Sequence, residues 1–219
     1  MSRTTSKYEG NQNFIIGCPG SGVVFCTKSR AYEDLERGYK VIVIDPNGGF
    51  MNMKKNLSNS SQYAALAENL EVISLDGVSM YDALSNVPEH MDDGLKNVLY
   101  VDVAEPLFDC DDISVSLGLI ESLKKQGLDI TISLQDLEQM LSDEGSRSML
   151  KMAKEIILLR VAAFDRRLLS VLLDIPYSVL ENGNYGVIRT QHSVWKRKKI
   201  NKEELGEELY SCFVDKPAC

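Results

Sequence analysis

The sequence predicts an α/β fold: a mostly parallel sheet with helices on both faces and a closing hairpin near the C-terminus. Three observations lead there. Short runs rich in Val, Ile and Leu alternate with stretches of helical periodicity six times along the 219 residues, the pattern of repeated strand–helix–strand units. The runs are continuously apolar rather than alternating, as expected of strands covered on both sides. Several end on a glycine turn or a polar residue, namely 17–22, Asp45, Asp102 and Gln135, and ligands of open α/β sheets sit outside the carboxyl ends of the strands.

Taken in order, residues 1–12 are polar and are expected as a loose arm ahead of a core at 13–200. A β-prone run at 13–16 leads into a glycine-rich turn. Residues 23–37 carry Phe25, Tyr32 and Leu35 at roughly helical spacing, and Gly38 is a helix stop. The run at 40–45 reads as a buried strand broken by Pro46-Asn47-Gly48-Gly49. A helix is expected over 62–69, a strand over 70–75 and a turn with a short linker over 76–97. Strands follow at 97–103, 129–134 and 155–161, with helices at 113–126, 137–154 and 165–173. Residues 184–190 and 192–196 form the hairpin, and 201–219 is a charged, weakly helical tail.

A hydrophobic content of 44% with 26% charged residues fits an ordinary globular domain long enough for a sizeable core. The net charge of −8, from 24 basic and 32 acidic residues, argues against broad nucleic-acid coating but permits a local basic patch. Cys18, Cys26, Cys110, Cys212 and Cys219 are odd in number and form no C-x-x-C pair, so neither a disulfide framework nor a zinc site is expected. A reducing cytoplasm suits them. No apolar run reaches the roughly 18 residues of a membrane span, and residues 1–7 lack the apolar centre of a signal peptide.

The chemistry concentrates at residues 17–24, GCPGSGVV. The phosphate-loop pattern G-x-x-x-x-G-K-[ST] matches at Gly17 and Gly22 and fails at Val23 and Val24. Between a strand and a helix, the backbone N–H groups of such a loop face an anion, helped by the helix N-terminus. That makes Gly17, Pro19, Gly20, Ser21, Gly22, Val23 and Val24 the candidate nucleotide-binding residues. The missing lysine would neutralise the β- and γ-phosphates, and the missing hydroxyl would hold Mg²⁺. At about 1.5–3 kcal/mol for each lost charge-assisted hydrogen bond, affinity falls by on the order of 10²–10⁴.

The order of motifs resembles the motor ATPase domain of conjugation and type IV secretion systems, the TraC-like or VirB-type branch of the FtsK/HerA group. GCPGSGVV resembles its Walker A loop, VIVIDPNGGF a strand ending in Asp-Pro, and VISLDGVSMYDAL a segment ending Asn-Pro-Met-Asp-Leu in the family. NVLYVDVAEPLF resembles the Walker B strand, and the stretch from DITISLQDL to DRRLLSVLLDI the long C-terminal block. The likeness spans roughly residues 13–196. It implies a RecA-like P-loop NTPase core with ATP and Mg²⁺ as cofactors. It implies assembly with related ATPase subunits or conjugation-apparatus proteins, for instance as a hexamer, in the cytoplasm or at the inner face of the membrane. Asp102 takes the Walker B position and with it a Mg²⁺ contact. Gln135 takes a sensor-like polar position. Arg166 and Arg167 resemble an Asp-Arg pair that reaches a neighbouring subunit's nucleotide.

The departures fall in separate motifs. Val23 and Val24 replace the lysine and hydroxyl, Val103 replaces the catalytic glutamate, and Asn47-Gly48-Gly49 replaces an acidic turn. Glu105 lies two residues on, and Pro106 argues that the strand has ended there. The reading is a pseudo-ATPase acting through assembly. A rival is an active ATPase that completes its site from a neighbour or from Lys28 and Arg30, and a third is an interaction module without nucleotide. Each residue also has a plainer reading. Asp102 caps a strand end, Asp45 is a turn residue, and Gln135 belongs to a helix start. Arg147, Arg166 and Arg167 decorate helix surfaces, and the basic run 196–199 is a solvated turn. His90 and His192 have no metal-site pattern.

Overall fold

The computed structural model describes residues 9–108, 113–181, 185–190, 193–198 and 206–214. Six strands are parallel: β1 (Gln12–Ile16), β2 (Lys40–Asp45), β3 (Leu70–Ser74), β4 (Asn97–Val101), β5 (Asp129–Leu134) and β6 (Glu155–Leu158). The hairpin β7 (Tyr185–Thr190) and β8 (Val194–Lys198) pairs antiparallel along β6. The eight strands lie in the order β3-β2-β4-β5-β1-β6-β7-β8. β1 is therefore central, with Phe14 opposite Ile132 on one side and Ile156 on the other. β5 stands between β1 and β4.

Alternate side chains of each strand feed opposite cores, as the pleat requires. Phe14, Ile16, Ile42, Ile44, Leu99 and Val101 face the larger core. It is covered by α4 (Met80–Asn86), α6 (Ile113–Lys125), α8 (Glu144–Lys151) and α9 (Ala163–Leu173). Val41, Val43, Val98 and Tyr100 face the other core, beneath α1 (Val23–Glu36), α2 (Gly49–Asn59) and the last helix, α11 (Glu207–Phe213). The shorter helices among the described residues are α3 (Ala64–Ala67), α5 (Glu105–Phe108), α7 (Glu138–Ser142) and α10 (Tyr177–Leu180).

Several expectations change. The break after Asp45 is a helix start, because the Asp45 carboxylate accepts the backbone N–H of Phe50 at 2.7 Å and Met51 at 3.2 Å. Gly48 makes the turn at φ 75°, and Phe50, Met53 and Leu57 form the buried face of α2. The helix expected over 62–69 shrinks to the four residues of α3. The linker 76–97 contains α4, capped by the Ser79 hydroxyl on the Asp82 N–H at 3.0 Å, and a 3₁₀ turn over Val87–His90. The segment expected as a charged, weakly helical tail carries α11, and its Leu209, Cys212 and Phe213 are buried in the core. Their i, i+3, i+4 spacing is an apolar stripe hidden among charges.

Candidate functional site

The glycine-rich turn leaves β1 at Ile16 and enters α1 at Val23. It is pinned from both flanking strands. The Gly17 N–H donates to the Leu134 carbonyl at 3.1 Å, the Cys18 N–H to the Arg160 carbonyl at 2.7 Å, and the Ser21 N–H back to the Cys18 carbonyl at 2.9 Å. Gly20 (φ 73°) and Gly22 (φ 95°) adopt left-handed backbone, which a side chain would strain. A side chain at Gly17 would force its neighbours to shift, since a Cβ there would lie 2.5 Å from the Ser21 Oγ and 2.9 Å from the Leu159 Cβ. Alternating backbone of this kind forms a concave nest of N–H groups at the start of a 14-residue helix.

Val23 does not point its bulk at a ligand. It is buried in a small apolar cluster with Ile15, Ile157, Leu159 and Ile188. Val24 faces the start of α2 instead: its Cγ1 lies 3.9 Å from the point a Gly49 Cβ would occupy. The Lys28 Nζ lies 3.4 Å from that same point. Lys28, one turn beyond Val24, is 1% exposed, and its ammonium donates to the Phe213 carbonyl at 2.9 Å. Arg30 points the other way and pairs with Glu155 at the opposite end of β6. It belongs to a layer of internally satisfied charges under the amino ends of the strands, with Lys96 on Asp129 and the Tyr100 hydroxyl on Asp34.

Asp102 follows β4 and is 1% exposed. Its Oδ1 accepts the Ser133 hydroxyl at 2.7 Å. Burial pushes its pKa up to about 6; the Ser133 hydrogen bond opposes the shift, Asp45 adds to it, and Lys28 opposes it. Asp45 is equally buried and spends its carboxylate on the start of α2. The expected strand end at 103 moves back to Val101, because Val103 takes φ 48°, a conformation β-branched residues avoid. Its N–H is held by the Ser133 Oγ at 2.9 Å.

Glu105 opens α5, and its Oε1 accepts the backbone N–H groups of Gln135 and Asp136. It ties the end of β5 to the end of β4, and its Oε2 is buried without a partner among the described residues. Gln135 itself sits one residue past Leu134, the partner of Ile16 across β1, and so beside the loop. Arg166 is half-buried on α9, with a buried Nε that finds no partner among the described residues. Arg147 takes the plainer role, donating to the Leu141 and Ser142 carbonyls at the end of α7. His192 and the end of the basic run at 199 lie outside the described residues, and no metal-type cluster of His, Cys, Asp and Glu occurs among those described.

The sequence reading missed Arg160. Two residues past β6, its carbonyl anchors Cys18, its Nε donates to the Cys18 Sγ at 3.4 Å, and a terminal nitrogen lies 3.8 Å from the Cβ position of Gly20. A guanidinium thus lies along the loop that lacks its lysine. The available signal was positional: an arginine just beyond a strand that neighbours the loop strand.

The donor set does not fit a divalent cation beside the loop. Val24 offers no oxygen, Asp45 is engaged with backbone, and the buried Lys28 ammonium lies near Gly49 at the start of α2.

The sheet order and the glycine-rich turn between β1 and α1 are those of a RecA-like P-loop fold. Among solved structures the chain is similar to VirB4 of Thermoanaerobacter pseudethanolicus, at TM-score 0.66 and 13% identity over 89% of this chain and 90% of that one. It is also similar to the genome-packaging NTPase B204 of Sulfolobus turreted icosahedral virus 2 in complex with AMPPCP, at TM-score 0.65 and 14% identity over 87% and 98%. The cytoplasmic domain of the type VII secretion ATPase EccC of Thermomonospora curvata matches at TM-score 0.61 and 16% identity, over 93% of this chain and 27% of that one. No protein-family model matches the chain, and no curated protein matches it either. At these identities the likeness is one of fold. No helix among the described residues is long and apolar enough to cross a membrane.

Proposed function

We propose that this chain is a pseudo-ATPase of the conjugation and type IV secretion kind, which keeps a phosphate-binding loop and acts through assembly with related ATPase subunits or transfer-apparatus proteins. The observation that carries the reading is Val23. A side chain at the lysine position has become part of the core, packed with Ile15 and Ile188, so the loss is built into the fold. The geometry at 103 agrees. Val103 has left-handed backbone and carries no carboxylate, and Glu105 holds two amides through Oε1 while its Oε2 is buried without a partner among the described residues, so the glutamate position itself supplies no base to orient water.

What remains suits weak anion binding. The left-handed residues Gly20 and Gly22 are of the kind that builds an anion-binding nest, and Arg160 brings a permanent positive charge to Cys18. VirB4 and B204 share the fold, and B204 is seen with AMPPCP, which makes a nucleotide the natural ligand to test. Phosphate release from ATP or GTP is expected to stay at background. Turnover near ~1 s⁻¹, the low end of ordinary enzymes, would overturn the reading. Calorimetry should detect ATP or ADP only weakly, and Arg160→Gln should weaken it by a further factor of about ten, the loss of one charged contact. If no nucleotide binds at millimolar concentration, the chain is an interaction module without a ligand.

A further inference from the structure

The sheet face beneath α1 carries a polar row at the amino ends of its strands. Tyr100, Thr131, Asn13, Glu155 and Thr190 are successive register partners from β4 across to β7, so their side chains stand side by side on one face. One step toward the glycine-rich turn, the same face holds Ile15, Ile157 and Ile188, packed with Val23. Polar side chains on the two central strands have no packing reason to be there. They line a cleft instead. Its larger part, about 410 Å³, is bounded by Asn13, Glu155 and Thr190, within the usual size of small-molecule sites of roughly 300–1,000 Å³. A smaller part of about 210 Å³ continues past Thr131 and Tyr100, and Asn13, Arg30, Asp129 and Lys154 line both.

Most of the charge around the cleft is matched. Arg37 bridges Asp34 and Glu33, and Arg30 bridges Glu33 and Glu155. That chain holds three carboxylates against two guanidiniums, one negative charge in excess. Lys96 pairs with Asp129, which adds nothing. Lys154 is exposed and makes no ion pair among the described residues, one positive charge in excess. The side-chain amide of Asn13 and the hydroxyl of Thr131, both half-buried, make no hydrogen bond among the described residues. The lining is thus neutral as a whole, with one unmatched charge of each sign and unused hydrogen-bonding groups beside them. A lone anion or a lone cation would answer only half of it.

We propose that this cleft is a ligand site for a small zwitterion that carries an ammonium and a carboxylate, of the kind and size of a free amino acid. The ligand carboxylate is drawn to Lys154. The ligand ammonium is drawn to Glu33 and Glu155, whose shared Arg30 leaves them under-neutralised. Asn13 and Thr131 offer the neutral hydrogen bonds that fix its orientation. The site lies at the opposite end of β1 and α1 from the glycine-rich turn, and it stands whether or not that turn binds a nucleotide.

The test uses the full chain and the protein amino acids, added one at a time at millimolar concentration and followed by thermal melting. At least one is expected to raise the melting temperature. Calorimetry then compares that amino acid with its decarboxylated amine and its deaminated acid, and each should bind about tenfold more weakly, the loss of one charged contact. Lys154→Gln, at an exposed position, should melt like the wild type without ligand and bind the amino acid about tenfold more weakly. Thr131→Val should weaken binding by about fivefold, the loss of one neutral hydrogen bond. If Thr131→Val does not fold, Lys154→Gln decides. Binding by Lys154→Gln as tight as that of the wild type overturns the proposal. Equal affinity for the amino acid and its deaminated acid also overturns it, and makes the cleft an anion site. If no amino acid shifts the melt, the cleft holds water only and the proposal fails. Displacement of the bound amino acid by ATP would put it at the glycine-rich turn and overturns the proposal as well.

Discussion

Asp102 shows how a single buried carboxyl sets a pH dependence. Its folded pKa, about 6, stands above the ordinary 3.8. As pH rises from about 4, the unfolded chain loses the proton first, so folding is weakened progressively up to about pH 6 and levels off above it. The full effect is about 3 kcal/mol, since each tenfold change in proton affinity is worth roughly 1.4 kcal/mol. Asp102→Asn keeps an acceptor for the Ser133 hydroxyl and removes the titration. It should match the wild type near pH 4 and exceed it by up to about 3 kcal/mol at pH 7.5. Urea denaturation at both pH values reads this directly. A variant less stable than the wild type at pH 7.5 would mean that ionised Asp102 and Lys28 hold the site together more strongly than burial pushes them apart.

Among the elements, α11 carries more of the structure than its charged sequence suggests. Phe213 is 3% exposed and its ring lies 5.8 Å from that of Phe25 and 5.7 Å from that of Tyr32. Phe213→Ala should therefore cost about 3–5 kcal/mol, the usual range for a buried phenylalanine, while Ser211→Ala on the exposed side should cost little. Thermal melts of the two variants separate a packed helix from a loose tail. The same element marks where the sequence was legible. β2 and β5 could be read to the residue, since continuous Val-Ile-Leu runs have few alternatives. α1 could be read from Gly22 to Gly38, whose left-handed backbone brackets it. α2 could not: Asp-Pro-Asn-Gly-Gly carries every sign of a break, and only the three-dimensional return of the Asp45 carboxylate onto Phe50 and Met51 turns it into a cap. In the site, the loop and Asp102 were legible by spacing. Arg160 was not, and Lys28 entered only as a stand-in for the missing lysine, because their contacts are with Cys18 and Phe213, 142 and 185 residues away.

At the scale of the whole molecule, charge decides what the fold can meet. The chain is acidic overall, at −8, yet β8 at the sheet edge bears Lys196, Arg197 and Lys198. Lys196 is exposed. Two explanations compete. Basic residues on an edge strand deter pairing with other strands, and they also contact phosphates in nucleic-acid-binding proteins. The first asks nothing of the surrounding field. The second must work against net negative charge, which lowers both encounter rate and affinity. The expected outcome is that neither single- nor double-stranded DNA binds measurably at physiological salt. Any binding at low salt should fall steeply as salt is added, with a log–log slope of about −0.9 per phosphate contact on duplex. Fluorescence anisotropy across a salt series checks both points. A submicromolar complex at physiological salt that Lys196→Ala, Arg197→Ala and Lys198→Ala together abolish would make β8 a nucleic-acid contact. Retention of that complex by the triple variant would place the contact elsewhere. If the triple variant instead gains a tendency to self-associate without any change toward DNA, the strand's charges are there to keep the edge of the sheet apart from its neighbours.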